Sequence, residues 1–378
     1  MAAALDWTTT DLGSVATLHR GYDLPGRLRV EGHIPIISSS GTTDWHNQAM
    51  VSAPGVVTGR YGTIGNVFYA ESDYWPLNTT LYVSDFHQNE PKFVYYMLQR
   101  IDFDSHKGKS GVPGVNRNDL HGLSVVIPTS PAEQKIIVAA LSDADGLIDS
   151  LLRLIAKKEA VKQGMMHELF RTENEWPKSR LAEIADVIDP HPSHRAPAEY
   201  ANGIPFVGIG DMNLDGSFAS DNARRVSPEI LLEHAARYRL SEGLIGLGRV
   251  ASIGKVVRLP LVDGSCVVSP TLGIIRPRNV DFDFLYYTLS TVPVTNQFGK
   301  VMSGSTRASV GMEVLRKLAV PHPDSRSDQQ RIGAMLVDID REIEILHNRL
   351  RKAKSMKLGM MQELLTGRTR LQPVEPSA

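Results

Sequence analysis

Three stretches of the chain carry residue types that could do chemistry, and the first is "EQK" at Glu133 to Lys135. Its acidic and basic side chains resemble the metal-binding end of a nuclease motif. Glu133 stands where a helix is expected to begin, however, and the helix dipole alone favours a carboxylate there. The matching stretch "QQR" from Gln329 has no carboxylate. Nuclease chemistry is therefore disfavoured.

The second stretch is glycine-rich, "GLIGLGRVASIGK" at Gly243 to Lys255. A phosphate-binding P-loop needs four residues between its glycines and Ser or Thr after the lysine. Here five residues separate Gly248 from Gly254, and Val256 follows Lys255. These glycines are therefore predicted to form tight turns.

The third stretch is "HPSH" at His191 to His194, which has no second cluster of metal-ligand type in the sequence and reads as a solvated loop. Cys266 is the only cysteine, which excludes an internal disulfide and a cysteine-based zinc site. Neither an adenine-methyltransferase signature nor a Gly-x-Ser-x-Gly nucleophile motif occurs. We therefore expect no catalytic centre in this chain.

The length and composition are those of a folded protein with more than one compact unit. The chain has 378 residues, of which 42% are hydrophobic and 22% charged, and this length predicts two or three domains. The formal net charge of -1 gives no support by itself to nucleic-acid binding, so any DNA contact must come from local patches or from a partner. No apolar run is long enough for a membrane helix, and a cytoplasmic location is expected.

The clearest pattern is an internal repeat. "KQGMMHELF" at Lys162 to Phe170 recurs as "KLGMMQELL" at Lys357 to Leu365. Upstream, "GRYGTIG" matches "GRVASIG", "FVYYML" matches "FLYYTL", and "EQKI" matches "QQRI" if a one-residue gap is placed after the last pair. The order of the blocks is kept, which indicates two homologous halves, each a β-rich globular part followed by a helix.

Both helical parts show the alternating three- and four-residue spacing of a coiled-coil seam. The two seams are expected to pack on each other, the alternative being that each packs on its own globular unit. Lys162 and Lys357 at seam positions would set the register, and Gly164 and Gly359 would need a close backbone approach as compensation. The seam residues are Leu141, Ile148, Leu151, Ile155, Met165 and Leu169 in the first helix and Leu336, Ile343, Leu346, Leu350, Met360 and Leu364 in the second.

Two homologous β-rich units joined by a helical pair suit a bipartite target, and DNA is the commonest such target. The seam from Leu141 to Leu169 would span about 42 Å at ~1.5 Å per residue. This length corresponds to about 12 base pairs. It is a plausible distance between two half-sites.

The chain resembles the specificity (S) subunits of type I restriction-modification systems. The likeness covers essentially the whole sequence and is carried by the helix entries "PTSPAEQKI" and "PHPDSRSDQQRI", the helices "LSDADGLIDSLL" and "LVDIDREIEILH", and the exits "GMMHELF" and "GMMQELL". It implies an α+β fold with two pseudo-twofold-related mixed α/β target recognition domains, separated by two long antiparallel coiled-coil helices. The expected boundaries are 1–130 and 172–320 for the recognition domains, 131–171 and 321–370 for the spacer helices, and 371–378 for a disordered tail.

The resemblance also implies the partners. Each recognition domain would read one half of a split double-stranded DNA sequence, with the helices as a ruler. Two modification subunits would methylate adenine at N6 with S-adenosylmethionine, and restriction subunits would cleave DNA with ATP and Mg. In that arrangement this chain is not an enzyme, and it binds no cofactor itself.

Reading DNA requires side chains with hydrogen-bonding groups on loops. Arg60 and Arg249, which occupy matched glycine-rich turns, are the strongest candidates, although a structural ion pair in the turn is an alternative. The full set of DNA-binding candidates is Arg20, Tyr22, Ser39, Thr42, Arg60, Tyr61, Lys107, Lys109 and Arg117 in the first half and His194, Arg195, Asn213, Arg249, Ser303, Ser305, Thr306 and Arg307 in the second.

Two other functions stay open from the sequence. A separate recognition subunit of a bifunctional cut-and-methylate system can look similar, and the neighbouring reading frames would distinguish it. The chain could also be a scaffold that binds protein through two equivalent domains.

Overall fold

The chain folds into two compact units, seen in a computed structural model that describes residues 7–106, 114–171, 175–191, 196–213, 216–218, 222–250, 252–302 and 309–371. Unit 1 comprises residues 1–153 with 347–378, and unit 2 comprises residues 154–346. Each unit includes part of both long helices, so the expected domain boundaries stay predictions. Apart from Leu371, the tail expected to be disordered lies outside the described residues.

Unit 1 combines a four-stranded sheet of order β2-β8-β5-β6, a three-stranded sheet β4-β3-β7 and the pair β1-β9. β3 and β7 are parallel, and the other neighbours are antiparallel. Its strands are β1 Trp7–Asp11, β2 Thr17–Arg20, β3 Ile34–Ser38, β4 Gly41–His46, β5 Gly55–Gly59, β6 Val67–Ala70, β7 Trp75–Pro76, β8 Thr80–Asp85 and β9 Ser124–Pro128; its helices are α1 Leu12–Val15, α2 Pro91–Leu98, α3 Arg117–His121 and the start of the long helix α4 Pro131–Leu169, with 3-10 turns at Gly26–Leu28 and Phe103–His106.

Unit 2 repeats this arrangement strand by strand. Its sheets have the orders β11-β17-β14-β15, β13-β12-β16 and β10-β18, and β12 and β16 are again parallel. Its strands are β10 Lys178–Arg180, β11 Ala185–Ile188, β12 Ile204–Val207, β13 Arg225–Val226, β14 Ile245–Gly248, β15 Val256–Arg258, β16 Val267–Val268, β17 Leu272–Pro277 and β18 Ala319–Pro321; its helices are α5 Leu181–Ile184, α6 Pro228–Ala235, α7 Phe282–Thr288, α8 Val292–Met302, α9 Met312–Arg316 and the start of α10 Arg326–Leu364, with 3-10 turns at Ile209–Asp211 and Leu240–Glu242. The internal repeat inferred from the sequence is confirmed.

The long helices pack both on each other and on the globular part of each unit. In unit 1, Leu141 of α4 and Leu364 of α10 belong to one core with Phe93 of α2. In unit 2, Leu336 of α10 belongs to one core with Phe284 of α7, and Leu169 of α4 packs against that core. Both packing arrangements considered for the seams are therefore present. Of the predicted seam residues, Leu141, Leu151, Ile155, Leu336, Leu346, Leu350 and Leu364 are buried, and Ile148, Met165, Leu169, Ile343 and Met360 are half-buried.

A buried glutamine attaches the start of each long helix to its globular part. Gln134 Oε1 accepts from Glu90 N at 2.8 Å, and Gln134 Nε2 donates to Pro128 O at 3.1 Å. Gln329 makes the same contacts, with Asp281 N at 2.9 Å and with Pro323 O at 2.8 Å. The structural match is thus Gln134 with Gln329. The one-residue gap placed there from the sequence is wrong, because a run of glutamines hides the correct register.

The seam lysines form ion pairs between the two helices. Lys357 Nζ lies 2.6 Å from Asp145 Oδ1 in unit 1, and Lys162 Nζ lies 2.6 Å from Asp340 Oδ1 in unit 2. These pairs give the two lysines the register-setting contacts that their seam positions predict.

The close backbone approach expected at Gly164 and Gly359 is absent, because a Cβ at either position would meet nothing within 4 Å. The close approach occurs instead at Gly333 of α10, where a Cβ would lie 2.8 Å from both Asp283 Cβ and Phe284 N of α7. Glycine is required where the helix crosses the start of α7. Gly164 and Gly359, in contrast, face open space.

In the described part of the chain, none of the helices has both the length and the apolar content needed to cross a bilayer.

Candidate nucleic-acid interface

The turn after β5 holds Arg60 at the surface of unit 1. Gly59 N donates to Asn66 O at 3.2 Å, and a Cβ on Gly59 would lie 1.9 Å from Thr63 O, so only glycine fits. Arg60 N and Tyr61 N both donate to Thr79 O, at 2.9 and 3.1 Å. The backbone of the turn is thus fixed on both sides, while the Arg60 side chain is left half-buried.

Several of the predicted residues come together at a cavity of about 500 Å³ in unit 1. Arg60 Cζ lies 4.5 Å from the centroid of the Tyr61 ring, an arrangement that stabilises a guanidinium on one face. Arg20 and Arg117 approach from other segments. The lining residues are Arg20, Arg60, Tyr61, Leu81, Gly114, Val115, Asn116 and Arg117. Four of them, Arg20, Arg60, Tyr61 and Arg117, are predicted DNA-binding residues, and they come from three segments that are distant in the sequence.

Asn116 is a lining residue that the sequence analysis missed. Its side chain caps α3 by accepting from Asn118 N at 3.0 Å, and its position places Arg117 at the first residue of that helix. An asparagine before a short polar helix is a recognisable N-cap signal. That signal could have pointed to this segment.

The remaining candidates of unit 1 lie elsewhere on its surface. Tyr22 is half-buried, and its hydroxyl is 2.8 Å from that of Tyr82. Ser39 packs beside the glycine turn, since a Cβ on Gly62 would lie 3.2 Å from Ser39 Oγ. Thr42 is exposed on β4. Lys107 and Lys109 lie outside the described residues.

In unit 2, Arg249 is buried rather than offered to a ligand. It is 6% exposed, its Nε donates to Val310 O at 2.9 Å and its Nη1 donates to Pro270 O at 3.3 Å. Nη1 also lies 3.7 Å from Asp189 Oδ2. Burial lowers the pKa of the Arg249 guanidinium, and the Asp189 charge opposes this shift. These contacts fit the structural ion pair that was the alternative for this residue.

Asn213 is exposed in a turn, where its Nδ2 donates to Ser217 Oγ at 2.9 Å. The other candidates of this half, His194, Arg195, Ser303, Ser305, Thr306 and Arg307, lie outside the described residues. DNA contact by the individual residues of both units stays a prediction.

The stretches first examined for chemistry have structural roles where they are described. Glu133 is 1% exposed, and its Oε1 accepts from Trp7 Nε1 at 3.0 Å. Gly248 and Gly254 form a tight turn, as predicted, with Gly254 N donating to Gly248 O at 3.0 Å. His191 stacks on His234 at 5.0 Å between ring centroids and lies 2.7 Å from Glu233. Within the described residues, no three side chains of His, Cys, Asp or Glu are grouped to hold a metal ion.

Comparisons with known proteins identify the class of DNA-specificity proteins to which these duplicated α/β units with long helices belong. The model of the type I restriction modification DNA specificity domain matches residues 4–161 and 173–355. The chain therefore belongs to this family and is a type I restriction-modification specificity subunit.

Curated relatives point the same way. The MjaVIII specificity subunit of Methanocaldococcus jannaschii is 23% identical over 307 residues, covering 74% of this chain and 70% of that protein. The putative MjaX specificity subunit of the same organism is 24% identical, covering 75% and 69%. A Mycoplasma pneumoniae putative type I specificity subunit, S.MpnORF638P, is 29% identical over 174 residues, covering 44% of this chain and 46% of that protein.

Solved structures share the fold. The S subunit of the type I system from M. genitalium superposes with a TM-score of 0.65 at 15% identity, covering 95% of this chain and 96% of the other. A chain from a study of complex assembly and conformational transition in a type I system gives a TM-score of 0.53 at 14% identity, covering 97% and 100%. The fold expected from the sequence is thereby confirmed.

Proposed function

We propose that this specificity subunit reads a bipartite double-stranded DNA target, with one half-site recognised by each unit. The observation that carries the proposal is the duplication of the same sheets in the same strand order in units 1 and 2. Two homologous surfaces on one chain suit two separate half-sites. The cavity of Arg20, Arg60 and Arg117 provides unit 1 with a surface suited to DNA.

The chemistry on DNA belongs to partner subunits in this proposal. Two modification subunits methylate adenine at N6 with S-adenosylmethionine, and restriction subunits cleave with ATP and Mg. The near-neutral net charge of -1 is consistent with partners that supply much of the phosphate contact. The role of the helices as a ruler stays a prediction.

The test is a genome-wide map of N6-methyladenine in cells that express this chain with its modification partner. We expect methylation at one split motif, with two short defined segments and an undefined spacer. A strain that carries the modification subunit without this chain is the control and should lack that motif. Methylation at an unsplit motif, or at the same sites in the control strain, would contradict the proposal.

A further inference from the structure

We propose that the cavity of unit 1 binds a phosphate group of the DNA backbone, and that the matched place in unit 2 does not. The inference rests on the proposed function only in taking duplex DNA as the ligand. The three cationic residues of the cavity come from three segments: Arg20 ends β2, Arg60 lies in the turn after β5, and Arg117 begins α3.

The internal repeat identifies the residues of unit 2 that stand in the same places. Leu18 pairs with Val83 between β2 and β8, as Val187 pairs with Ile275 between β11 and β17. Leu18 therefore corresponds to Val187. Two residues further along β2 and β11, Arg20 corresponds to Asp189.

The other two arginines have equally clear matches. Val115 N donates to Arg60 O at 3.0 Å, and Val310 N donates to Arg249 O at 2.9 Å. Arg60 therefore corresponds to Arg249. Arg117 and Met312 are the first residues of α3 and α9, the helices that follow these contacts.

The charges at the three matched places differ between the units. In unit 2, Asp189 pairs with Arg249 and Met312 is neutral, so these three residues together carry no net charge. In unit 1 all three residues are arginines. Like charges at one cavity repel each other, and an anion between them relieves that repulsion.

Carboxylates near the cavity do not provide this anion. Asp23 lies 3.8 Å from Arg20, but both side chains are more than half exposed, and such pairs contribute little. Among the described residues, no carboxylate forms an ion pair with Arg60 or Arg117. A bound anion would therefore take the place in unit 1 that Asp189 holds in unit 2.

The neighbouring strand also differs between the units beside the two matched arginines. Thr58 of β5 faces Leu81 of β8, and Leu247 of β14 faces Gly273 of β17, so Leu81 corresponds to Gly273. A Cβ on Gly273 would lie 2.4 Å from Leu315 Cδ1 and 3.5 Å from Arg249 Cδ, so the glycine makes room for Leu315 and lies within contact distance of Arg249. At the matched place in unit 1, the buried residue Leu81 is among those that line the cavity with Arg60.

A phosphate fits this lining better than a base edge. Guanidinium groups only donate hydrogen bonds, and three of them match the charged oxygens of a phosphate. A neutral base would leave most of the positive charge without compensation. Contacts to the phosphate and sugar groups also form half or more of the hydrogen bonds in protein–DNA complexes, so a backbone contact is expected near a sequence-reading surface.

The experiment measures binding of the full chain to several fluorescent duplexes of unrelated sequence across a range of salt concentrations. Arg20→Asp copies into unit 1 the residue that neutralises the matched arginine in unit 2. Arg27→Asp makes the same change of charge on an exposed residue of unit 1 outside the cavity and serves as the control. We expect Arg20→Asp to weaken binding to every duplex by the same factor, about tenfold. The slope of log K against log salt should become shallower by about 1.

Two outcomes of the variants would overturn the inference. One is binding by Arg20→Asp equal to that of Arg27→Asp, and the other is a loss confined to particular sequences, which would make the cavity a base-reading site. Absence of duplex binding by the unaltered chain at low salt would overturn it too. If Arg20→Asp lowers the melting temperature, Arg60→Gln provides the same readout, since it keeps the backbone hydrogen bonds of the turn.

Failure of the proposed function has a different signature. A specificity subunit must prefer its mapped target over scrambled duplex, and equal affinity of the unaltered chain with its modification partner for both would contradict sequence recognition. The phosphate site concerns affinity that all sequences share. The inference about the phosphate site can therefore be tested independently of that result.

Discussion

Asp145 and Lys357 form an ion pair of 2.6 Å between the two long helices of unit 1. Asp145 also accepts a hydrogen bond from the Tyr96 hydroxyl at 2.7 Å, and the lysine ammonium lies 5.3 Å from the centroid of the Tyr96 ring. One carboxylate therefore joins α2, α4 and α10. Burial, followed by the hydrogen bond to Asp145, raises the pKa of Tyr96, which keeps this hydroxyl a donor.

Unit 2 has the same three-residue contact, made by Tyr287, Asp340 and Lys162. The tyrosine hydroxyl lies 2.6 Å from Asp340 Oδ2, and the lysine ammonium lies 2.6 Å from Asp340 Oδ1. The same residue types thus perform the same task twice. The contact is part of the shared framework of the units rather than of either recognition surface.

The first prediction concerns the Asp145 contact. Asp145→Asn should lower the free energy of unfolding by about 1–3 kcal/mol, because a partly buried lysine loses its counter-charge. Urea unfolding of Asp145→Asn, Lys357→Met and the double variant forms a thermodynamic cycle. We expect a coupling energy of about 1 kcal/mol. Additive effects of the two changes would contradict the contact.

The second prediction uses three glycines in the long helices. Gly164→Ala and Gly359→Ala should each raise the free energy of unfolding by about 0.5–1 kcal/mol, because a methyl group meets nothing there and helix propensity improves. Gly333→Ala is the matched control and should destabilise, because its Cβ would lie 2.8 Å from the α7 backbone. Thermal unfolding of the three variants tests both directions.

The third prediction separates the two matched arginines. Arg249→Ala should cost about 2–4 kcal/mol of stability, because Val310 O and Pro270 O lose a donor and Asp189 loses its counter-charge. Arg60→Ala should change the free energy of unfolding by less than about 0.5 kcal/mol, since the Arg60 side chain lies at the surface of unit 1. Calorimetry of the two variants measures this contrast. Equal destabilisation would contradict the different roles.

The fourth prediction concerns pH. Burial, followed by the charge of His191, lowers the pKa of His234 to about 4, against an ordinary value of 6.5. The unfolded chain therefore binds a proton that the folded chain excludes between these values. The contribution of the neutral His234 to the free energy of unfolding is fully present above pH 6.5. It declines by about 1.4 kcal/mol per pH unit as the pH falls toward 4.

Melting temperatures between pH 4.5 and 7.5 test this dependence. His234→Gln should flatten the profile in that range, because it removes the proton-binding group while keeping a hydrogen-bonding partner for the Tyr238 hydroxyl, which lies 3.3 Å from His234 Nδ1. His33→Gln changes an exposed histidine and should leave the profile as it is. Identical profiles for both variants would contradict the prediction.

The sequence predicted the duplicated framework well, because that framework depends on local and repeated signals. The periodicity of Leu141 and Leu336 identifies buried helix faces without tertiary information. The glycines at 248 and 254 likewise identify a turn. Such features follow from residue type and spacing alone.

The candidate site was less predictable, because its residues acquire their roles from contacts that are distant in sequence. Arg60 and Arg249 occupy matched turns, but the buried Arg249 pairs with Asp189, whereas Arg60 has Arg20 at the corresponding place. The glycines of the helices show the same limit. Nothing local distinguishes Gly333, which crosses α7 closely, from Gly164, which faces open space.

The matched pair also bears on how duplicated proteins diverge. An arginine stands at the matched place in both units while its surroundings differ, since Asp189 lies beside Arg249 and Arg20 lines the cavity with Arg60. A residue can thus be retained after duplication while its role changes, because that role depends on the neighbouring residues.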